Sequence, residues 1–227
     1  MLDEGGHLLD LARTAAPAVQ PVDLAAVKRQ VNSEEFDDDD TLLQEKLDAA
    51  VGELDGYAGR LGGRCLVEQT WVLYLDRFQH PGLYGGHDRH RYRRAREIRL
   101  PLSPLIAVDS ITYLDASSVR QTLDPATYTA VTGEQARVVL KASASWPSAL
   151  CDVRSIAVTF KSGYAAKGSN AEPDPADVPA PLRQWIQLRA AELYANREGR
   201  VIVDSRATLI ENPVMDDLLS LYMADFL

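Results

Sequence analysis

Cysteine is nearly absent from this chain of 227 residues: Cys65 and Cys151 are its only two, far apart and outside any paired motif. That removes a disulfide framework and a local cysteine zinc site as organising features. Buried free thiols are the expectation, with a disulfide or a ligand role as the alternative. Long apolar runs are missing too. No stretch approaches the ~20 residues that span a bilayer, and the opening MLDEGGHLLDLARTAAP has neither the basic start nor the long apolar core of a secretory signal. No membrane contact is expected, and synthesis in the cytoplasm is.

Equally absent are the spacings that announce chemistry. There is no G-x-S-x-G, no phosphate-binding P-loop, no GxGxxG and no zinc-finger pattern. Of the four histidines, His80, His87 and His90 lie with Asp88 in one stretch, but the arginines around them oppose a bound cation. The acidic run over residues 37–40 lacks the central glycine and closing glutamate of a calcium loop. It is read instead as the cap of a helix, with carboxylates at the positive end of the dipole. No catalytic, cofactor-binding or metal-binding residue is assigned, no cofactor is expected, and an enzyme is the least supported class.

What is present is ordinary globular material, 46% hydrophobic and 25% charged, with its charge unevenly laid out. Residues 1–55 carry fourteen Asp and Glu against four Lys and Arg, a net −10, whereas residues 77–99 carry seven Arg against Asp88 and Glu97, a net +5. Segregation of that kind suits contact between copies, or with a charged partner.

In chain order, an Ala- and Pro-rich segment over 1–21 is expected to be a loosely held arm. Asp23 is placed to cap a short helix over 24–31. The acidic run caps a longer one with Leu43, Leu47, Ala50, Val51 and Leu54 on one stripe, ending near Tyr57. Alternating apolar and polar residues predict a strand over 65–78, followed by a Gly- and Arg-rich loop over 80–99. The phrase IRLPLSPLIAVDSITYLD, residues 98–115, then combines rigid proline punctuation with strong strand character. It predicts an extended lead-in and a central strand of the β region. Further short strands are predicted over 119–123, 128–132, 136–140 and 155–160, with Trp146 covering the core from a loop.

A Pro-rich linker over 165–181 precedes the C-terminal part, 182–227. Its first helix carries Trp185, Ile186, Ala190, Leu193 and Tyr194 on one stripe, and a short terminal helix over 214–226 has too many apolar residues for one narrow face. The fold class is therefore α+β: N-terminal helices over 22–63 and the C-terminal helices form a helical bundle, with an antiparallel β-sheet or small barrel inserted over 64–164.

Two clusters carry a functional claim. Arg89, Arg91, Arg93, Arg94 and Arg96, interrupted by Tyr92, suit phosphates and stacked bases, or the acidic segment of a neighbouring copy, or simply a solvated loop. Composition leaves these open. The terminal helix, with Met215, Leu218, Leu219, Leu221, Tyr222 and Phe226, is expected to pack against something, another chain included.

Several phrases in this order resemble one family, the head-to-tail connector or adaptor proteins of tailed phages and of related gene transfer particles. They are TLLQEKLDAAVGELDGYAG, IRLPLSPLIAVDSITYLD with Tyr128 after it, Trp146-Pro147, VTFKSGY, and VPAPLRQWIQLRAAELYANRE, together spanning about residues 22–198. The resemblance implies a structural virion protein without enzymatic activity. It implies a homo-oligomeric ring, commonly dodecameric, between the portal protein and the next neck or tail protein, continuing a DNA channel. It also makes the C-terminal segment the expected portal-docking element, and the virion neck the expected location. A nucleic-acid-binding accessory protein acting through the loop over 89–99 is the alternative. The Ala/Pro arm and the Arg-rich loop have no counterpart in the family pattern.

Overall fold

Residues 156–162 alternate buried and half-exposed side chains, and they pair with residues 69–75 in the middle of an antiparallel sheet. The computed structural model describes residues 10–78, 96–164, 174–196 and 213–223. The chain divides into a β unit, from residues 1–18 and 68–165, and a helical unit, from residues 19–67 and 166–227.

The β unit begins with β1 (Asp10–Ala15), followed by β2 (Gln69–Leu75), β3 (Glu97–Arg99), β4 (Leu105–Leu114), β5 (Arg120–Thr122), β6 (Tyr128–Val131), β7 (Arg137–Leu140) and β8 (Ile156–Ser162). These build a five-stranded sheet in the order β1-β2-β8-β4-β5 and a three-stranded sheet in the order β3-β7-β6. Both are antiparallel and open, so sheet rather than barrel is the outcome among the described residues.

Two features of this sheet depart from the expectation. First, residues 10–15 are a paired edge strand, not a loose arm. Main-chain ladder bonds ask little of the side chains, and the Asp10 carboxylate is gripped by the Arg154 guanidinium, which also lies 4.9 Å from the centre of the Tyr74 ring. Arg13 donates to Gln69 Oε1 at 3.3 Å and lies over Trp71. Second, β8 is the central strand and β4 is its neighbour. The register between them slips at two bulges, so that Leu105, Val108, Ile111 and Tyr113 stand opposite Ser162, Phe160, Val158 and Ile156. Each bulge inserts a residue and converts a spacing of two into a spacing of three. Strict two-residue alternation is therefore not kept along β4.

Leu73, Leu105, Ile111, Ile156, Val158 and Phe160 are buried in this unit. Trp146 stacks on Phe78 with ring centres 4.7 Å apart, and Phe78 meets Tyr113 edge-on, so Trp146 covers the core from a loop as expected. Cys151 is exposed while Cys65 is buried, and neither is joined in a disulfide. Burial was expected for both, but Cys151 lies in an unpaired connection, and connections run over the surface.

The helical unit contains α1 (Leu24–Gln30), α2 (Asp40–Leu54), α3 (Ala180–Ala195) and α4 (Pro213–Ser220). Asp23 caps α1 as expected, its carboxylate accepting from the Ala26 N–H at 2.7 Å. At the other end Asn32, in the left-handed region at φ 55, lets Ser33 and Asn32 donate back to the carbonyls of Lys28 and Arg29. Leu43, Leu47, Ala50 and Leu54 are the buried stripe of α2, and Leu182, Trp185, Ile186 and Ala190 that of α3. α3 packs against α1, α2 and α4. The helix α2 stops at Leu54, earlier than predicted, and Gly59 then passes so close that a Cβ would sit 2.1 Å from the Leu54 carbonyl oxygen. Residues 65–67, assigned by alternation to the first strand, are buried in this unit instead, with the Leu66 N–H donating to Asp55 Oδ1 at 2.8 Å.

The acidic run does more than face a dipole. No carboxylate caps α2 through its side chain; instead Asp37 and Asp40 hold the buried Lys28 ammonium at 2.6 and 2.8 Å. The Tyr194 hydroxyl donates to Asp39. The Asp37 bond, then the Asp40 bond, raise the Lys28 pKa above its ordinary value. A raised lysine contributes stability that is complete below about pH 10.4 and is lost as pH climbs through the folded-state value. Thermal melts are therefore expected to fall more steeply above that pH in the wild type than in Lys28→Met, and equal slopes would remove this pair as the cause.

Candidate assembly interface

Apolar side chains left in water identify the surface that remains after the two units have closed their cores. Leu221 is 86% exposed and Met223 59% exposed, both at the end of the helical unit. Scattered single exposures are normal, but two alternating residues on one terminal segment form a patch.

The terminal helix is tethered to its own unit before it can reach anything else. Leu219, one of the expected interface residues, is 3% exposed and belongs to the core. Arg64 donates through Nε to the Tyr222 carbonyl oxygen at 3.1 Å, and its guanidinium lies 5.9 Å from the centre of the Tyr222 ring. The Leu219 carbonyl oxygen accepts from the N–H groups of Tyr222 and Met223, which turns the chain as α4 ends. Met215 and Leu218 are half-buried. Of the six residues expected at this interface, then, Leu219 and Tyr222 hold α4 in place, Met215 and Leu218 are shared, and Leu221 stands free. Phe226 lies outside the described residues. Met223 was missed, although the apolar density of LLSLYM was its signal.

The arginine cluster divides in a similar way. Arg89, Arg91, Arg93 and Arg94 lie outside the described residues, as do His80, His87, Asp88 and His90. Arg96 is committed within the β unit: its Nη2 donates to the carbonyl oxygens of Lys141 at 2.6 Å and Ala144 at 2.9 Å. A guanidinium spent on main-chain carbonyls just beyond β7 is a structural anchor. Among the described residues no group of three or more His, Cys, Asp and Glu is placed to hold a metal ion. Nor is any described helix long and apolar enough to cross a membrane.

The sequence matches no protein-family profile and no curated protein. Solved structures do match. A chain in the virion of a native gene transfer agent particle aligns with a TM-score of 0.66 at 17% identity, over 94% of this chain and 94% of that one. The fold is that of a chain of a gene transfer agent particle. A chain in the neck of the empty particle, computed with C6 symmetry, has a TM-score of 0.64 at 19% identity over 93% of this chain and 94% of that one. In the neck of the native particle, computed with C12 symmetry, the values are 0.62, 18%, 92% and 93%. The likeness thus extends over both units, which is where the order of phrases read in the sequence also pointed.

Proposed function

We propose that this chain is a structural protein of a particle neck, an adaptor that assembles as a ring between the portal and the neck or tail component below it. The observation that carries this reading is the shared fold over almost the whole length of both chains with a protein of a gene transfer agent particle. The exposed Leu221 and Met223 support it, because an apolar terminal segment tethered by Arg64 is suited to docking on a second protein. On this reading the protein is not an enzyme, its place is the virion neck, and its ring is dodecameric and continues the DNA channel. The helices then pack as a bundle that carries the subunit contacts, and Leu218, Leu221 and Met223 face the portal.

The test is to image particles with and without the chain. Loss of the chain is expected to leave filled heads and free tails unjoined, with a ring missing beneath the portal. Joined particles of normal outline would reject the role.

A neighbouring subunit and DNA in the channel are the two contact readings for the remaining arginines of the cluster. Replacing Arg91, Arg93 and Arg94 by Ala separates the two. A subunit contact predicts weakened rings with DNA retention unchanged. A phosphate contact predicts intact rings and a smaller salt dependence of DNA binding, the log–log slope falling by about 0.9 for each phosphate no longer neutralised.

A further inference from the structure

Two features of the helical unit are left open by its described residues and fit one another. One is a notch of about 170 Å³ beside α1 and α3, walled by Pro21, Val22, Ala26 and Pro175. Arg29 and Arg183 line it, together with Asp23 and Gln187. The Asp23 carboxylate is occupied in capping α1. Arg183 spends only its Nε, on the Val178 carbonyl oxygen at 3.1 Å. The exposed Arg29 guanidinium makes no hydrogen bond or ion pair with any described residue. The notch is therefore mixed, with polar and apolar groups sharing its surface, and carries two guanidinium groups.

The other feature is Phe36, 66% exposed in the turn between α1 and α2. A single exposed ring is unremarkable by itself, but one held on an ordered turn is a preformed knob. This turn is ordered: the Phe36 N–H donates to the Ser33 carbonyl oxygen at 3.1 Å, and Asp37 is fixed to Lys28. Exposed Glu34, Glu35 and Asp38 flank the ring, and none is paired within the described residues.

We infer that Phe36 of one copy seats in the proline-walled notch of the next copy, with its flanking carboxylates meeting Arg29 and Arg183. Size permits a partial seat: the notch has about the volume that takes up a benzene ring, although it is open to solvent on one side and partly polar. Charge favours it, because the knob is acidic and the rim basic. Symmetry favours it as well. Knob and notch are different surfaces of one chain, so the contact is heterologous, and repeating a heterologous contact closes a ring when the rotation permits. The inference rests on the ring reading above and names the residues that would join its subunits.

The test uses the full chain, with association read by sedimentation velocity and incorporation read as copies per particle. Phe36→Ser removes the knob, and Arg29→Glu with Arg183→Glu repels it. Both variants are expected to keep wild-type circular dichroism and to associate about thirty-fold more weakly, as loss of a central aromatic anchor does. Mixing the two variants should then restore a one-to-one dimer and no larger species, because only one pairing of knob with notch survives.

Wild-type association of Phe36→Ser overturns the contact and leaves the ring standing. Weakening of self-association by Phe36→Ser but not by the notch substitutions also overturns it, assigning Phe36 to a different surface of the neighbouring copy. A wild-type chain found as a single copy per particle overturns the ring reading, and the contact with it.

Discussion

Leu221→Asp combined with Met223→Asp is expected to leave the chain folded and to keep it off particles. Both side chains are mostly in water, so on the isolated chain the change falls within the ~0.5 kcal/mol usual for surface substitutions. At a docked interface the same change places two carboxylates in an apolar contact without partners. Removing a central anchor alone typically costs about 2 kcal/mol or more, and an unpaired buried charge adds to it. Copies per particle, measured by quantitative mass spectrometry, should fall to background while the melting temperature stays within a degree or two of wild type, a surface change of ~0.5 kcal/mol. Leu219→Asp is the contrasting case. Leu219 is buried, so that substitution should lower the melting temperature and detach α4 even without a partner. Unchanged incorporation of the Leu221 and Met223 variant would dismiss this patch as the docking surface.

Trp185→Ala carries the largest expected cost in stability. Trp185 is fully buried on α3, and the Arg60 guanidinium lies 5.7 Å from the centre of its ring. Truncating a buried tryptophan removes its transfer free energy and leaves a cavity, about 3–5 kcal/mol together. For a chain of this size that is a fall of about 10 °C in melting temperature. The indole Nε1 is buried without an acceptor. Trp185→Phe retains most of the apolar contact and removes that unsatisfied donor, so it should cost much less than Trp185→Ala. Equal losses for the two substitutions would show that the indole shape, and not buried apolar area, holds α3 in place.

The helices and strands that carry regular apolar patterns were readable from the chain alone. Leu43, Leu47, Ala50 and Leu54 repeat at helical spacing and are buried on α2; Ile156, Val158 and Phe160 alternate and are buried on β8. Local repetition suffices there, because one face of each element meets one core. It failed at β4, where two bulges reset the alternation, and at residues 65–67, where alternating apolar residues are buried in the helical unit. It also failed at β1, whose place in the sheet is won by main-chain pairing and by Arg154, a residue far along the chain.

The candidate interface was legible as an excess of apolar residues near the C-terminus, but its division was not. Periodicity cannot tell Leu219, packed inside, from Leu221, left in water, because that difference is set by the turn at Tyr222 and by the Arg64 bond that holds it. Composition likewise grouped Arg96 with its neighbours, and only the Lys141 and Ala144 carbonyls facing it reveal that it is an anchor.

By itself, then, the sequence determined the α+β class, the stripes and alternations of its principal elements, the separation of acidic from basic segments, and the lack of any recognisable catalytic motif. The tertiary structure decided which strand is central, that the acidic run encloses Lys28, which apolar residues remain uncovered, and that an exposed aromatic and an open notch coexist on one unit. The reason is physical. Patterns of spacing report contacts within an element, whereas bulges, long-range ion pairs and leftover surface depend on which distant residues the fold brings together.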